Sequence, residues 1–236
     1  MQKILEGFVQ DVQGLYADEL LAILLYGSAA TGEHVAGRSD INVAIVLRRL
    51  TPPLLRKAAR HLRAWSRQGF ATPKFFDPEF LHASLDVFAI EFLDMQERHR
   101  VLWGPDLFAD LSIGQANLRF QCEQELRGKL LRLRQSYVES AHAPSDLERI
   151  LAVAMSSLVV LVRTLLRLGG AELGGSAEAV LERVQIRFGA SSVSLRKAWQ
   201  VKRGEIRMTG SNLEMLYQEV LEEVEGLVRV VDALPT

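Results

Sequence analysis

LYGSAATGEHVAGRSDINVAIVL, from Leu25 to Leu47, is the stretch on which the fold turns. The apolar run 21–26 stops at Gly27 and reads as a short buried strand. The run 41–47 is apolar and rich in β-branched residues, so it reads as a second strand. A loop containing Gly32 and Gly37 joins them. Gly27 and Ser28 stand at the end of the first strand. A residue without Cβ there lets a ligand come close to the backbone. A hydroxyl and free N–H groups at the start of a helical turn form an anion cradle. Asp40 follows Ser28 by 12 residues, and Asn42 lies two further on. Residues two apart share one face of a strand. Oxygen ligands beside an anion cradle suit magnesium carried by nucleotide phosphates.

Outward from this stretch, residues 2–20 carry Ile4, Leu5, Phe8, Val12 and Leu15 at helical offsets. Pro52 and Pro53 open a helix that runs to about 68. A third strand is expected at 84–93 (SLDVFAIEFL), and a short one in VLWGPDLF, ending at Gly104 and Pro105. After about residue 113 helical periodicity replaces strand runs. Helices are expected at 115–141, from a capping box at Ser145 to Gly169-Gly170, at 177–188, and near 195–202. The last helix opens at a second capping box, Ser211 to Glu214, and carries an apolar stripe from Leu213 to Val231. The plan is α+β: a mixed sheet with helices over 1–112, then an all-α helical bundle over 113–236.

Composition narrows the function classes. At 48% hydrophobic and 24% charged residues, the 236-residue chain is globular, not disordered. The single cysteine, Cys122, excludes an internal disulfide and a multi-cysteine zinc site and reads as a small buried hydrophobe. A net charge of −1 gives no global reason to expect a nucleic-acid partner. The N-terminal stretch has no apolar leader pattern, and the apolar run 151–162 is broken by Ser156 and Ser157, so it reads as a buried helix. A cytoplasmic protein with no membrane partner is expected. His34, His61, His82, His99 and His142 show no metal-ligand spacing. Between Ile41 and Phe76 lie eight basic residues and no acid: Arg48, Arg49, Arg56, Lys57, Arg60, Arg63, Arg67 and Lys74. This reads first as the solvated face of a helix, with phosphate or RNA binding as the sharper alternative. A second cluster around Trp199 (Arg196, Lys197, Lys202, Arg203 and Arg207) reads as ordinary surface.

Gly27-Ser28, Gly32 and Ser39-Asp40-Ile41-Asn42, set between two apolar strands, resemble the signature of the nucleotidyltransferase superfamily of DNA polymerase beta and kanamycin nucleotidyltransferase. The resemblance implies that Gly27, Ser28 and Ser39 hold a nucleoside triphosphate, ATP foremost. It implies that Asp40 and the residue at 42 bind Mg2+. A third acid, completing the metal shell, should come from a neighbouring strand. Glu91 is the first choice because it lies in an otherwise apolar run, where a charge needs a reason; Asp86 and Asp94 are the alternatives. Such an enzyme moves a nucleoside monophosphate to an acceptor hydroxyl, and a carboxylate takes the acceptor proton. The acceptor is left open. Position 42 departs from the pattern: asparagine coordinates through its amide oxygen but brings no charge and is too weak a base. Two readings follow, a magnesium-dependent nucleotidyltransferase and a degenerate member that serves as a nucleotide-binding or interaction module. The resemblance and the apolar last helix are compatible with a homodimer.

Overall fold

The computed structural model describes residues 1–140, 144–171 and 175–234, without the side chains of 144 and 145. The chain forms two compact units, Met1–Ile113 and Gly114–Thr236.

In the first unit α1 (Gln2–Tyr16) leads into β1 (Leu20–Tyr26), and β2 (Asn42–Leu47) returns beside it. Then come α2 (Pro52–Ala59), α3 (Leu62–Arg67), β3 (Lys74–Phe76), α4 (Pro78–Ala83), α5 (Ala89–Glu97) and β4 (His99–Trp103). The sheet order is β3-β2-β1-β4. β1 is antiparallel to both β2 and β4, and β2 is parallel to β3, so the sheet is mixed as expected. Both faces are covered, which is why β1 and β2 read as unbroken apolar runs. Ile23, Leu25, Val43, Ile45 and Leu47 pack against Phe8 and Val12 of α1 and against Ala58 and Trp65 of α2 and α3. Ala22, Leu24, Ala44 and Val46 face Leu81, Phe92 and Met95 of α4 and α5, together with Phe76 and Phe108.

Two expectations fail in this unit. Residues 84–93 do not form a strand: a turn leads into α5. Ala89, Phe92 and Leu93, spaced by three and four, are buried on one helical face, and a short apolar run fits a buried helix as well as a strand. β3 and β4 occupy the sheet edges instead. The helix expected from Pro52 to 68 is broken at Arg60 and His61. The break lets Trp65 enter the core, with its ring centroid 4.8 Å from that of Phe8, while its indole N–H donates to Asp11 over 3.0 Å.

The second unit is helical: α6 (Gln115–Glu139), α7 (Pro144–Leu168), α8 (Ala177–Phe188), α9 (Val193–Arg203) and α10 (Ser211–Asp232). α7 is its centre, packed on α6, α8, α9 and α10. The segment Asp146–Leu168 is long and apolar enough to cross a membrane, yet Leu151, Met155, Leu158, Val162 and Leu165 are fully buried in this unit, as in a core helix. The apolar stripe of α10 is likewise spent on the unit's own core, so it lends no support to a dimer face. The capping box at Ser211 does not behave as read. α10 takes Gly210 as its N-cap with no side-chain bond, and Ser145 lies inside α7, its side chain outside the described residues. α9 is capped from a distance: buried Glu223 of α10 accepts the N–H groups of Ser194 (3.1 Å) and Leu195 (2.8 Å) and the Ser191 hydroxyl (2.6 Å). Those are N–H groups that the start of a helix leaves without intrahelical partners. Cys122 is fully buried, and burial pushes its thiol up to about 12. His142 falls outside the described residues.

Gly104 closes β4 with φ +80°, and a Cβ there would lie 2.2 Å from the Leu21 carbonyl oxygen. Gly104→Ala is expected to cost on the order of 2 kcal/mol or more, read by urea denaturation. A change below about 0.5 kcal/mol, the range of ordinary surface substitutions, would contradict this backbone approach.

Candidate functional site

β1 ends at Tyr26, and the chain turns at Gly27, whose φ of +73° is one that L side chains rarely adopt. A single 3₁₀ turn, Gly27–Ala29, follows. The Gly27 N–H donates to the Arg98 carbonyl over 2.9 Å, Ala30 N–H donates to Gly27 over 3.0 Å, and Glu33 N–H donates to Ser28 over 2.9 Å. The return loop is closed by Val35, whose carbonyl accepts from Arg38 (3.0 Å) and Ser39 (2.8 Å). The Ser39 hydroxyl in turn accepts the Val35 N–H over 3.3 Å, so it shapes the loop. Asp40 is exposed one residue before a β-bridge between Ile41 and Phe70, and Asn42 opens β2, half-buried.

Strand register brings these pieces together. Tyr26 pairs with Asn42 on one side and with His99 on the other. The three side chains therefore form one row on a single sheet face. A Cβ on Gly27 would lie 3.6 Å from Asn42 Nδ2, so the glycine turn borders the Asn42 amide. α5 packs over the same face. The Tyr26 hydroxyl is held well above the usual phenol range, first by burial and then by the Asp94 and Glu91 carboxylates. Those two carboxylates therefore lie near enough to act electrostatically on Tyr26. Glu91 reaches this region from the exposed side of a helix and not from within a strand. Asp94 is half-buried, and Asp86 is exposed in the preceding turn. Among the described residues, no group of three or more His, Cys, Asp or Glu is disposed to hold a metal.

Arg98 and His99 carry structural weight that no local pattern announced. The Arg98 side chain is only 12% exposed. Its guanidinium donates to Thr31 Oγ1 over 3.0 Å, pairs with Glu33, and lies 3.8 Å from Asp94. Backbone and side chain of one residue therefore grip the glycine turn from two sides, and the cation is neutralised locally. His99 sets Nδ1 3.0 Å from the Gln96 carbonyl and Nε2 3.0 Å from the Asp106 carboxylate. Burial would raise the Asp106 pKa, but the His99 bond and the N–H groups of Phe108 and Ala109 outweigh it and hold the carboxyl below its ordinary 3.8. His34 is half-buried in the loop, and its Nδ1 is buried without a hydrogen-bond partner among the described residues.

No protein-family model matches the chain, and no curated protein matches it. Among solved structures the chain is similar to spectinomycin adenyltransferase AAD(9) from Enterococcus faecialis, whose crystal structure is with ATP and spectinomycin. The TM-score is 0.63 at 10% identity, covering 95% of this chain and 99% of that one. The chain shares the α+β fold of that adenyltransferase structure over most of its length.

Breaking a buried ion pair by removing one partner costs about 3–5 kcal/mol, against about 0–1 for a surface pair. Arg98→Ala is therefore expected to lower the unfolding free energy by on the order of 3 kcal/mol in urea denaturation. A loss within about 0.5 kcal/mol would make the grip a solvated surface pair and contradict the assignment.

Proposed function

We propose that the chain binds a nucleoside triphosphate, ATP by likeness to the adenyltransferase, and transfers its nucleoside monophosphate to an acceptor hydroxyl. One observation carries the reading. The Tyr26–Asn42 register sets the Gly27-Ser28 turn against the start of β2, with Asp40 two residues upstream of Asn42. In this reading Gly27 and Ser28 receive the phosphates, and Ser39 keeps the loop in shape for them. Asp40 and Asn42 supply one carboxylate and one amide oxygen. That donor set fits a single magnesium ion shared with the phosphates, because magnesium is commonly held by one or two carboxylates plus substrate oxygens. Bound there, the ion would neutralise phosphate charge at the reacting phosphorus. The acceptor oxygen attacks the α-phosphorus, the bond to the bridging oxygen breaks, and pyrophosphate leaves. Glu91 is the residue we assign to take the acceptor proton, as a carboxylate on the helix over this face. The protein would act in the cytoplasm.

The second reading is a nucleotide-binding module with weak or no transfer. Asn42 favours it, together with the absence of a three-acid group among the described residues. A unit charge about 4 Å from another is worth about 4 kcal/mol at an effective dielectric of about 20. Spent wholly in the transition state, that is about a thousandfold in rate. Asp94 does not simply replace the missing charge, because Arg98 already faces it.

Two variants separate the readings. Asp40→Ala is expected to remove the magnesium-dependent part of the affinity for a non-hydrolysable ATP analogue; unchanged affinity would overturn the site. Asn42→Asp is expected to raise pyrophosphate release by tenfold or more, with ATP and a panel of hydroxyl acceptors that includes spectinomycin. Binding without any gain from Asn42→Asp would favour the module.

A further inference from the structure

The first unit separates its charges sharply. Eight of its Lys and Arg residues lie between Ile41 and Phe76, a stretch with no Asp or Glu. Folding does not cancel this asymmetry. Arg48 is used on the Asp18 carbonyl (2.7 Å) and Arg49 on Glu19 (3.1 Å). Arg56, Lys57, Arg60, Arg63 and Arg67 are all exposed along α2 and α3. Among the described residues no ion pair engages Arg56 or Arg60. Like charges brought together in a solvated surface repel one another, and such an arrangement has a use when an anion sits among them.

The shape is as telling as the charge. Arg56, Lys57, Arg60 and His61 ring a cavity of about 450 Å³ whose remaining walls are Leu15, Pro52 and Pro53. That volume lies within the roughly 300–1,000 Å³ range of small-ligand sites. Lys57 is already oriented: its ammonium donates to the Leu15 carbonyl over 3.0 Å and lies 6.0 Å from the centre of the Tyr16 ring. Asp11 lies beside this rim, 4.0 Å from His61 Nδ1, and accepts the Trp65 indole N–H. The two prolines have no N–H, so side chains must supply the donors. Two guanidinium forks match phosphate oxygens in pairs, and an ammonium adds a point charge.

We propose that this cavity is a second anion site, one that takes the di- or triphosphate group of a small soluble compound. Three cations around one cavity suit two to four negative charges held close together, and the proline and leucine walls accept an apolar part of the same compound. The site is separate from the one above. Ala58 and Trp65 of α2 and α3 pack on the sheet face that carries Ile23, Leu25 and Val43, whereas Tyr26 and Asn42 belong to the opposite face. The inference does not rest on the proposed transfer activity.

The test is calorimetric titration of the full chain with inorganic tripolyphosphate, without magnesium, at low and moderate salt. Binding is expected to weaken with salt and to fall at least tenfold in Arg56→Ala/Arg60→Ala, while Asp40→Ala leaves it unchanged. Both arginines are exposed, so the double variant should keep the wild-type melting curve. If it does not, Arg56→Lys/Arg60→Lys replaces it, with at least a threefold loss expected as the paired donors go. No binding, binding that survives both double variants, or binding lost in Asp40→Ala would each overturn the proposal. So would preference for a single-stranded RNA oligomer whose affinity depends equally on Arg63 and Arg67, which would make the patch an extended nucleic-acid surface.

Discussion

The antiparallel register that sets Tyr26 against Asn42 decides what stands next to what at the end of this sheet. A slip of one residue would send Asn42 to the opposite face and leave the Gly27 turn beside apolar side chains. The register is secured from both faces, because Ile23 and Leu25 bury toward α1 while Ala22 and Leu24 bury toward α5. The turn itself then needs a residue that accepts φ +73° and a partner for its N–H. Arg98 supplies that partner through its carbonyl, and its guanidinium reaches across to Thr31 and Glu33. Strand pairing fixes where the turn lies; Arg98 fixes its shape.

Charge at this end of the sheet is more closely matched than the sequence motif alone implies. Arg98 faces Glu33 and Asp94, so its positive charge is answered locally and is not left for phosphates. Asp40 is exposed, and Asn42 adds an oxygen without charge. A nucleotide seated here would bring more negative charge than the protein alone offsets, which is the physical reason to expect a divalent cation with it. The same balance makes position 42 the sensitive one. In the proposed reading a carboxylate there would tighten the hold on a cation, whereas an amide would leave Asp40 to supply the negative charge.

Much of this was legible in the sequence, for reasons that differ by element. β1 and β2 are short apolar runs bounded by glycine or by a polar loop, a pattern with few other readings. The helices of the second unit announce themselves by steps of three and four. Residues 84–93 suggest a strand yet lead into a helix, because a buried helix and a buried strand look alike over ten residues. β3 escaped notice because it has three residues, one of them an exposed lysine. Arg98 could not be found locally: its partners Thr31 and Glu33 lie 67 and 65 residues away. The stripe on α10 marks a helix face in the sequence, but only packing shows that it covers the unit's own core. Glu91 was singled out for lying in an apolar run; its helix still brings it near Tyr26, by a route that the strand reading did not contain.

The central claim is that a nucleoside triphosphate sits at the Gly27-Ser28 turn with a cation at Asp40. A crystal structure of the chain with magnesium and a non-hydrolysable ATP analogue tests it most directly. The account predicts phosphate oxygens against the N–H groups of the Gly27–Ala29 turn and an ion touching Asp40. A nucleotide found elsewhere on the chain, or none at saturating concentration, would contradict it.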